Sequence, residues 1–298
     1  GLAILAVAYR VLPRIAGDGS AGPLPAAGLA LASVSVLALL LMLTEGQRAG
    51  WASPSVAGLG AATVVAVALF ARGEARGRLR VVDSRLAGSP SFRTANLVGL
   101  LSTAVMCNLF FFLSLFFQLS LGYSALEAGA SLLPLTAMIV LAAPLAGRAA
   151  DRFGVRWPVA GGMAVLGAAL LGLAVADTAR GLPAMLPWLL LAGAGIGITS
   201  TPTTSAALDA APPGQAGVAA GLVNVSRLVG LSVGIATMGA ILSAGDVDVF
   251  ATGGSAERFG DRLSLAFALN AAIALLGGVI AARGLRCRLD PAGGPDPR

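Results

Sequence analysis

The sequence contains no histidine, no lysine and only two cysteines, and its acids number 14 in 298 residues. Each shortage excludes something. Without histidine there is no side chain that ordinarily titrates near neutral pH and no imidazole to ligate a metal. The two cysteines, Cys107 in an apolar run and Cys287 in a polar tail, offer no disulfide framework. Charged residues make up only 11% of the chain, against about 25% in soluble domains. The acids also avoid the middle of every apolar run: Glu45, Glu127, Asp177 and Asp209 sit at or near run ends. No nucleophile–base pair and no metal-ligating cluster can be assembled, so neither an enzyme nor a bound cofactor is expected. The net charge of +6 comes from arginine alone. Those arginines lie between apolar runs rather than on one folded face, which argues against nucleic acid.

What is abundant is apolar. The chain is 57% hydrophobic with 40 glycines, and its mean hydropathy is +0.86. These values predict an all-α polytopic transmembrane helical bundle, since lipid satisfies no open backbone and glycine permits close helix packing there. Eight runs reach the roughly 20 residues that cross a bilayer as a helix: 24–43, 54–71, 95–121, 128–146, 158–176, 184–208, 217–242 and 263–282. Residues 1–12 read as the end of a further, truncated span. Between the second and third runs, 72–93 holds six arginines against Glu74 and Asp83. Its middle is either a short helix on the membrane surface or a solvated linker. Residues 283–298 form a basic tail.

Arginine also sets the orientation. With the end of the 1–12 segment placed in the cytoplasm, that side receives fifteen arginines and the outer side four, with Arg227 in the membrane. The bias follows the positive-inside rule and places the 72–93 linker and the tail in the cytoplasm of a cell-membrane protein.

Arg227 stands near the middle of the 217–242 run, where a cation costs about 2.5–3.5 kcal/mol on insertion scales. Three readings are open: it binds an anionic substrate group, pairs with a carboxylate, or snorkels. Asn224 is three residues away on the same helical face. Gly217 and Gly221, like Gly230 and Gly234, are four apart and lie ready for a neighbouring helix. Gly193, Gly195 and Gly197 serve tight packing; a dinucleotide loop would need a preceding strand.

The loop after the fourth long run reads GRAADRFGVR. Its Gly147, Asp151, Arg152, Gly154 and Arg156 resemble the cytoplasmic loop motif of the major facilitator superfamily. That loop joins the second and third helices of a six-helix half, and this copy occupies the same place. The same residues read without the family are a tight glycine turn with topological arginines. The wider pattern resembles the fourteen-helix drug:proton antiporters of the EmrB/QacA type. Two extra helices (24–71) precede a basic linker ending in SFRTANLVGL, then come LGYSALEAGASLLPL and GLVNVSRLVGLSVGIA. On that alignment the chain is the C-terminal part, residues 94–282 are the C-terminal six-helix half, and the N-terminal half lies elsewhere.

The resemblance implies efflux of small hydrophobic or cationic compounds, drugs among them, by proton antiport. Its partners would be a small-molecule substrate, protons, the bilayer and the other half. It implies that the first and fourth helices of the half line the cavity, and the second and fifth meet the other half. Cavity candidates are then Asn108, Phe111, Phe112, Gln118, Thr199, Asn224 and Arg227, with Asp151 and its loop as a gate. The phenylalanines could equally be packing or lipid-facing. With no acid near the midplane, the proton carrier is expected outside these residues. The rival expectation is a non-transporting truncated or accessory membrane subunit that needs a partner half.

Overall fold

A computed structural model describes residues 26–50, 53–76, 84–176, 181–212, 214–243 and 256–285. Among them ten helices form: α1 (Ala26–Ala49), α2 (Pro54–Ala75), α3 (Ser84–Gly88), α4 (Pro90–Leu119), α5 (Ala125–Ser131), α6 (Leu133–Phe153), α7 (Arg156–Val175), α8 (Leu182–Asp209), α9 (Ala216–Ser243) and α10 (Ala256–Gly284). The expected partial span at 1–12, the middle of the basic linker and the tail from 286 lie outside the described residues.

Seven stretches are long and apolar enough to cross a membrane, in α2, α4, α5 with α6, α7, α8, α9 and α10. The chain is an all-α, multi-pass membrane protein. The apolar part of α1, Ala30–Gly46, is shorter than these. Helix α1 runs on into Glu45, Gln47 and Arg48, which limits its apolar stretch, and the first residues of the expected 24–43 span lie outside the description.

Local sequence sets the helix ends. Ser89 caps α4 by accepting from the Phe92 N–H at 3.4 Å, and Pro90 opens the helix where a missing N–H costs nothing. The run expected at 128–146 is divided. The short α5 is opened by a capping box in which the Glu127 carboxylate accepts from the Ser124 N–H and hydroxyl, both at 2.8 Å. Leu132 breaks the helix, and Pro134 lies in the first turn of α6. Glu127, read from sequence as an acid at a run end, is thus a helix cap.

Packing follows from small residues. On a helix, residues four apart share a face and residues two apart lie nearly opposite. Gly193 and Gly197 accordingly press on the Leu135 and Ile139 backbone of α6, while Gly195 presses on Gly162 and Leu166 of α7. The GxGxG run therefore lets α8 touch two helices at backbone distance. Gly230 and Gly234 seat α9 on the Leu100 and Ala104 carbonyls of α4. The equally spaced Gly217 and Gly221 have nothing within 4 Å. Helix α4 also packs on α10, α7 on α8 and α10, and the α1–α2 pair leans on α9 through α1. The core they enclose holds Leu109, Phe112, Leu113, Phe117, Met163, Leu166, Leu170, Met185 and Phe267. Within it α4 and α7 bury 50% of their apolar stretch, whereas α9 and the α5–α6 stretch bury 22%. The α5–α6 stretch and α9 are therefore the least buried from α4 onward.

Candidate functional site

Three helices meet through polar groups beside Arg227. On α9, Ser226 donates to the Asn96 side-chain oxygen of α4 at 2.8 Å. The next residue, Arg227, turns to α8, where its Nη2 donates to Thr204 Oγ1 at 2.6 Å and to the Ser200 carbonyl at 3.4 Å. Thr204 gives its own hydroxyl proton to the same Ser200 carbonyl at 2.9 Å. A hydroxyl has one proton, so Thr204 can meet the guanidinium only as an acceptor. Arg227 is half-buried, and no carboxylate among the described residues pairs with it. Asn224 is exposed on a stripe of α9 with Gly217, Gly221, Leu228 and Leu231.

The remaining cavity candidates fall into two groups. Phe111 is half-buried, and Gln118 is exposed, its amide tied back to Ser114 Oγ at 3.0 Å. Asn108, Phe112 and Thr199 are at most 1% exposed and lie within the helix bundle. Asn108 donates to Asn270 Oδ1 of α10 at 2.9 Å, and Asn270 donates to the Ala266 carbonyl at 2.7 Å. Asn108 Oδ1 has no hydrogen-bond partner among the described residues. Phe112 meets Phe111 edge to face, and Phe117 stacks on Tyr123. Thr199 donates to the Gly195 carbonyl at 2.8 Å and faces Gly162 across the α7–α8 contact.

The stretch GRAADRFGVR, expected as a loop, is helical through Phe153: it covers the last turns of α6, the Gly154–Val155 turn and the first residue of α7. Gly154 caps α6 with φ 78° and ψ 161°, a backbone region that disfavours side chains. Gly147 faces Thr201 of α8. Asp151 and Arg152 are exposed on the last turn of α6. Asp151 makes no hydrogen bond or ion pair among the described residues. Arg152 lies over the Phe153 ring, 5.4 Å from its centroid, and Arg156 lies over Trp157 at 5.3 Å, both cation–π contacts.

Asn270, Asn96, Ser226 and the Ser200–Thr204 pair were not singled out from the sequence. Asn270 carried the clearest signal, a lone amide in the apolar run LAFALNAAIALLGG, since polar groups inside spans need partners.

With this architecture in view, the comparisons decide the family. The family model described as Major Facilitator Superfamily matches residues 19–235. The chain belongs to that superfamily. It is 29% identical over 250 residues to the "Tetracenomycin C resistance and export protein" of Streptomyces glaucescens, covering 84% of this chain and 46% of that protein. It is 33% identical over 238 residues to the "Methylenomycin A resistance protein" of Streptomyces coelicolor, covering 80% and 50%. The "Multidrug resistance protein Stp" of Mycobacterium tuberculosis is 30% identical over 224 residues, covering 73% and 40%. The chain thus spans half or less of the length of these relatives.

Proposed function

We propose that this chain is the C-terminal part of a fourteen-helix facilitator that exports small, largely hydrophobic compounds by proton antiport. The observation that carries the reading is the pairing of poorly buried helices with a sequence motif: the α5–α6 stretch and α9 bury only 22% of their apolar stretch, and GRAADRFGVR runs from the end of α6 through Gly154 to the start of α7. An unpaired helix face in a six-helix half suits a second half, with substrate bound near the midplane between them. The names of the resistance and export relatives support export.

In this reading Phe111, Gln118, Asn224 and Arg227 form this half's wall of the substrate site. Asn108, Phe112 and Thr199 hold the shape of that wall from behind. Gly147, Asp151, Arg152, Gly154 and Arg156 form the gate. The free Asp151 carboxylate would meet the N-terminal end of a helix in the other half, where the helix dipole favours an anion, and would separate from it as the transporter turns. The proton carrier would be a carboxylate of that other half, since the acids of this chain lie at span ends. The linker and tail are cytoplasmic.

The test is the complete protein in sealed vesicles with an imposed pH gradient. Uptake of a fluorescent hydrophobic dye that rises with the gradient and vanishes when it is dissipated is the expected result. Uptake indifferent to the gradient would overturn the antiport assignment.

A further inference from the structure

Arg227 is the charged side chain that lies mid-helix in α9, and its own neighbours hold it in one orientation. One nitrogen, Nη2, is engaged by Thr204 Oγ1 at 2.6 Å and the Ser200 carbonyl at 3.4 Å. Both acceptors are neutral, so the positive charge is uncompensated among the described residues. Thr204 is itself fixed by its bond to Ser200 at 2.9 Å, which keeps the guanidinium from swinging away. Nε and Nη1 make no hydrogen bond among the described residues, and neither is among the buried unsatisfied atoms. The guanidinium therefore presents free donors from a half-buried position, beside the exposed Asn224 stripe. A planar guanidinium with spare donors matches a carboxylate, and the anion gains most where water is scarce.

We propose that Arg227 is the counter-charge for an acidic group of the exported molecule, a carboxylate or a comparably ionised acid. The inference rests on the export reading and narrows its substrate class. The same charge works against permanent cations, which the phenylalanine-rich α4 had made plausible from sequence. Most of that aromatic surface is unavailable, because Phe112, Phe116 and Phe117 are no more than 2% exposed.

The experiment uses the complete protein in lipid nanodiscs with two probes, pyrenebutyrate and its methyl ester. They share one aromatic body and differ in charge. Wild type is expected to bind the acid roughly ten- to a hundredfold more tightly than the ester, the range of a charge-assisted hydrogen-bonded contact. Arg227→Gln should bring the acid-to-ester affinity ratio to about one, with a monodisperse size-exclusion profile showing that the variant is folded; Arg227→Lys should keep part of the preference. Equal binding of acid and ester by wild type overturns the proposal. So does acid affinity untouched by Arg227→Gln, the outcome expected if a carboxylate of the other half already occupies the guanidinium. Movement of the probes in vesicles is scored separately. An acid preference without gradient-driven movement removes the export reading and leaves the anion site standing.

Discussion

Alanine at Gly162 and alanine at its neighbour Gly161 should have opposite consequences. Both lie on α7 at nearly the same depth, so the gain in helix propensity, about 0.8–1 kcal/mol in water, is common to both and cancels in the comparison. What differs is the space. A Cβ on Gly161 has nothing within 4 Å, whereas one on Gly162 would stand 2.5 Å from Thr199 Oγ1 and 3.0 Å from both the Gly195 carbonyl and Ile198 Cγ2. The threonine cannot step aside freely, because its hydroxyl is bonded to that same Gly195 carbonyl at 2.8 Å. Overpacking costs about 1–3 kcal/mol, and the disturbed hydrogen bond adds about 1 kcal/mol. The two variants should thus differ by roughly 2–4 kcal/mol. At about 2–4 °C per kcal/mol this is a separation of roughly 5–15 °C. Heating detergent-purified protein and measuring the monodisperse fraction by size exclusion reads it directly. Gly161→Ala should melt with wild type or slightly above, and Gly162→Ala well below. Coincident curves would refute the backbone-distance contact between α7 and α8.

Other outcomes follow from the same contacts. In a double-mutant cycle, Asn108→Ala and Asn270→Ala should couple by about 0.6–1.7 kcal/mol, the range for amides bonded between membrane helices; additive losses would show that the pair does not act as one. Gly154→Ala places a side chain at φ 78° and should cost about 1–2 kcal/mol of stability, measured by the same heating assay. Asp151→Asn should lower dye export in vesicles at normal protein levels while Asp151→Glu retains part of it, and full activity of the amide would dismiss the gate. In a background lacking Cys107 and Cys287, a cysteine at Arg148 should react with a membrane-impermeant thiol reagent only from the cytoplasmic face, and one at Ser120 only from outside. Reversed labelling would invert the orientation drawn from arginine placement.

The helices were legible because apolar runs are long and arginines fall between them. Contacts were legible only in part. Gly230 and Gly234 announced a close helix and have one, yet Gly217 and Gly221 carry the same spacing and face open space. Spacing within a helix identifies a face without saying which neighbour fills it. The start of α5 was written in Ser124 and Glu127, whose capping-box spacing is readable, and the break before α6 in Pro134. Arg227 was conspicuous as a charge in an apolar run, but Thr204 and Ser200 were not visible as its partners, since nothing in sequence links positions on different helices. The Asn108–Asn270 bond, 162 residues apart, was invisible for the same reason. A phenylalanine cluster on a membrane helix can line a site or fill a core, and the sequence left both open; Phe112, Phe116 and Phe117 are buried in the core.

The order of these contacts along the chain bears on how the protein is made. Helix α9, with its central arginine, is poorly suited to enter a bilayer alone. Yet the groups it meets through Gly230, Gly234, Ser226 and Arg227 are Leu100, Ala104, Asn96, Ser200 and Thr204, and every one is synthesised before it. When α9 leaves the ribosome, its backbone dock on α4 and its hydroxyl acceptor on α8 already exist. The arginine can thus be delivered into a prepared polar niche during synthesis. Damage to Thr204 or to the α4 dock would then surface first as failed insertion and degradation, before any defect in the finished protein could be observed.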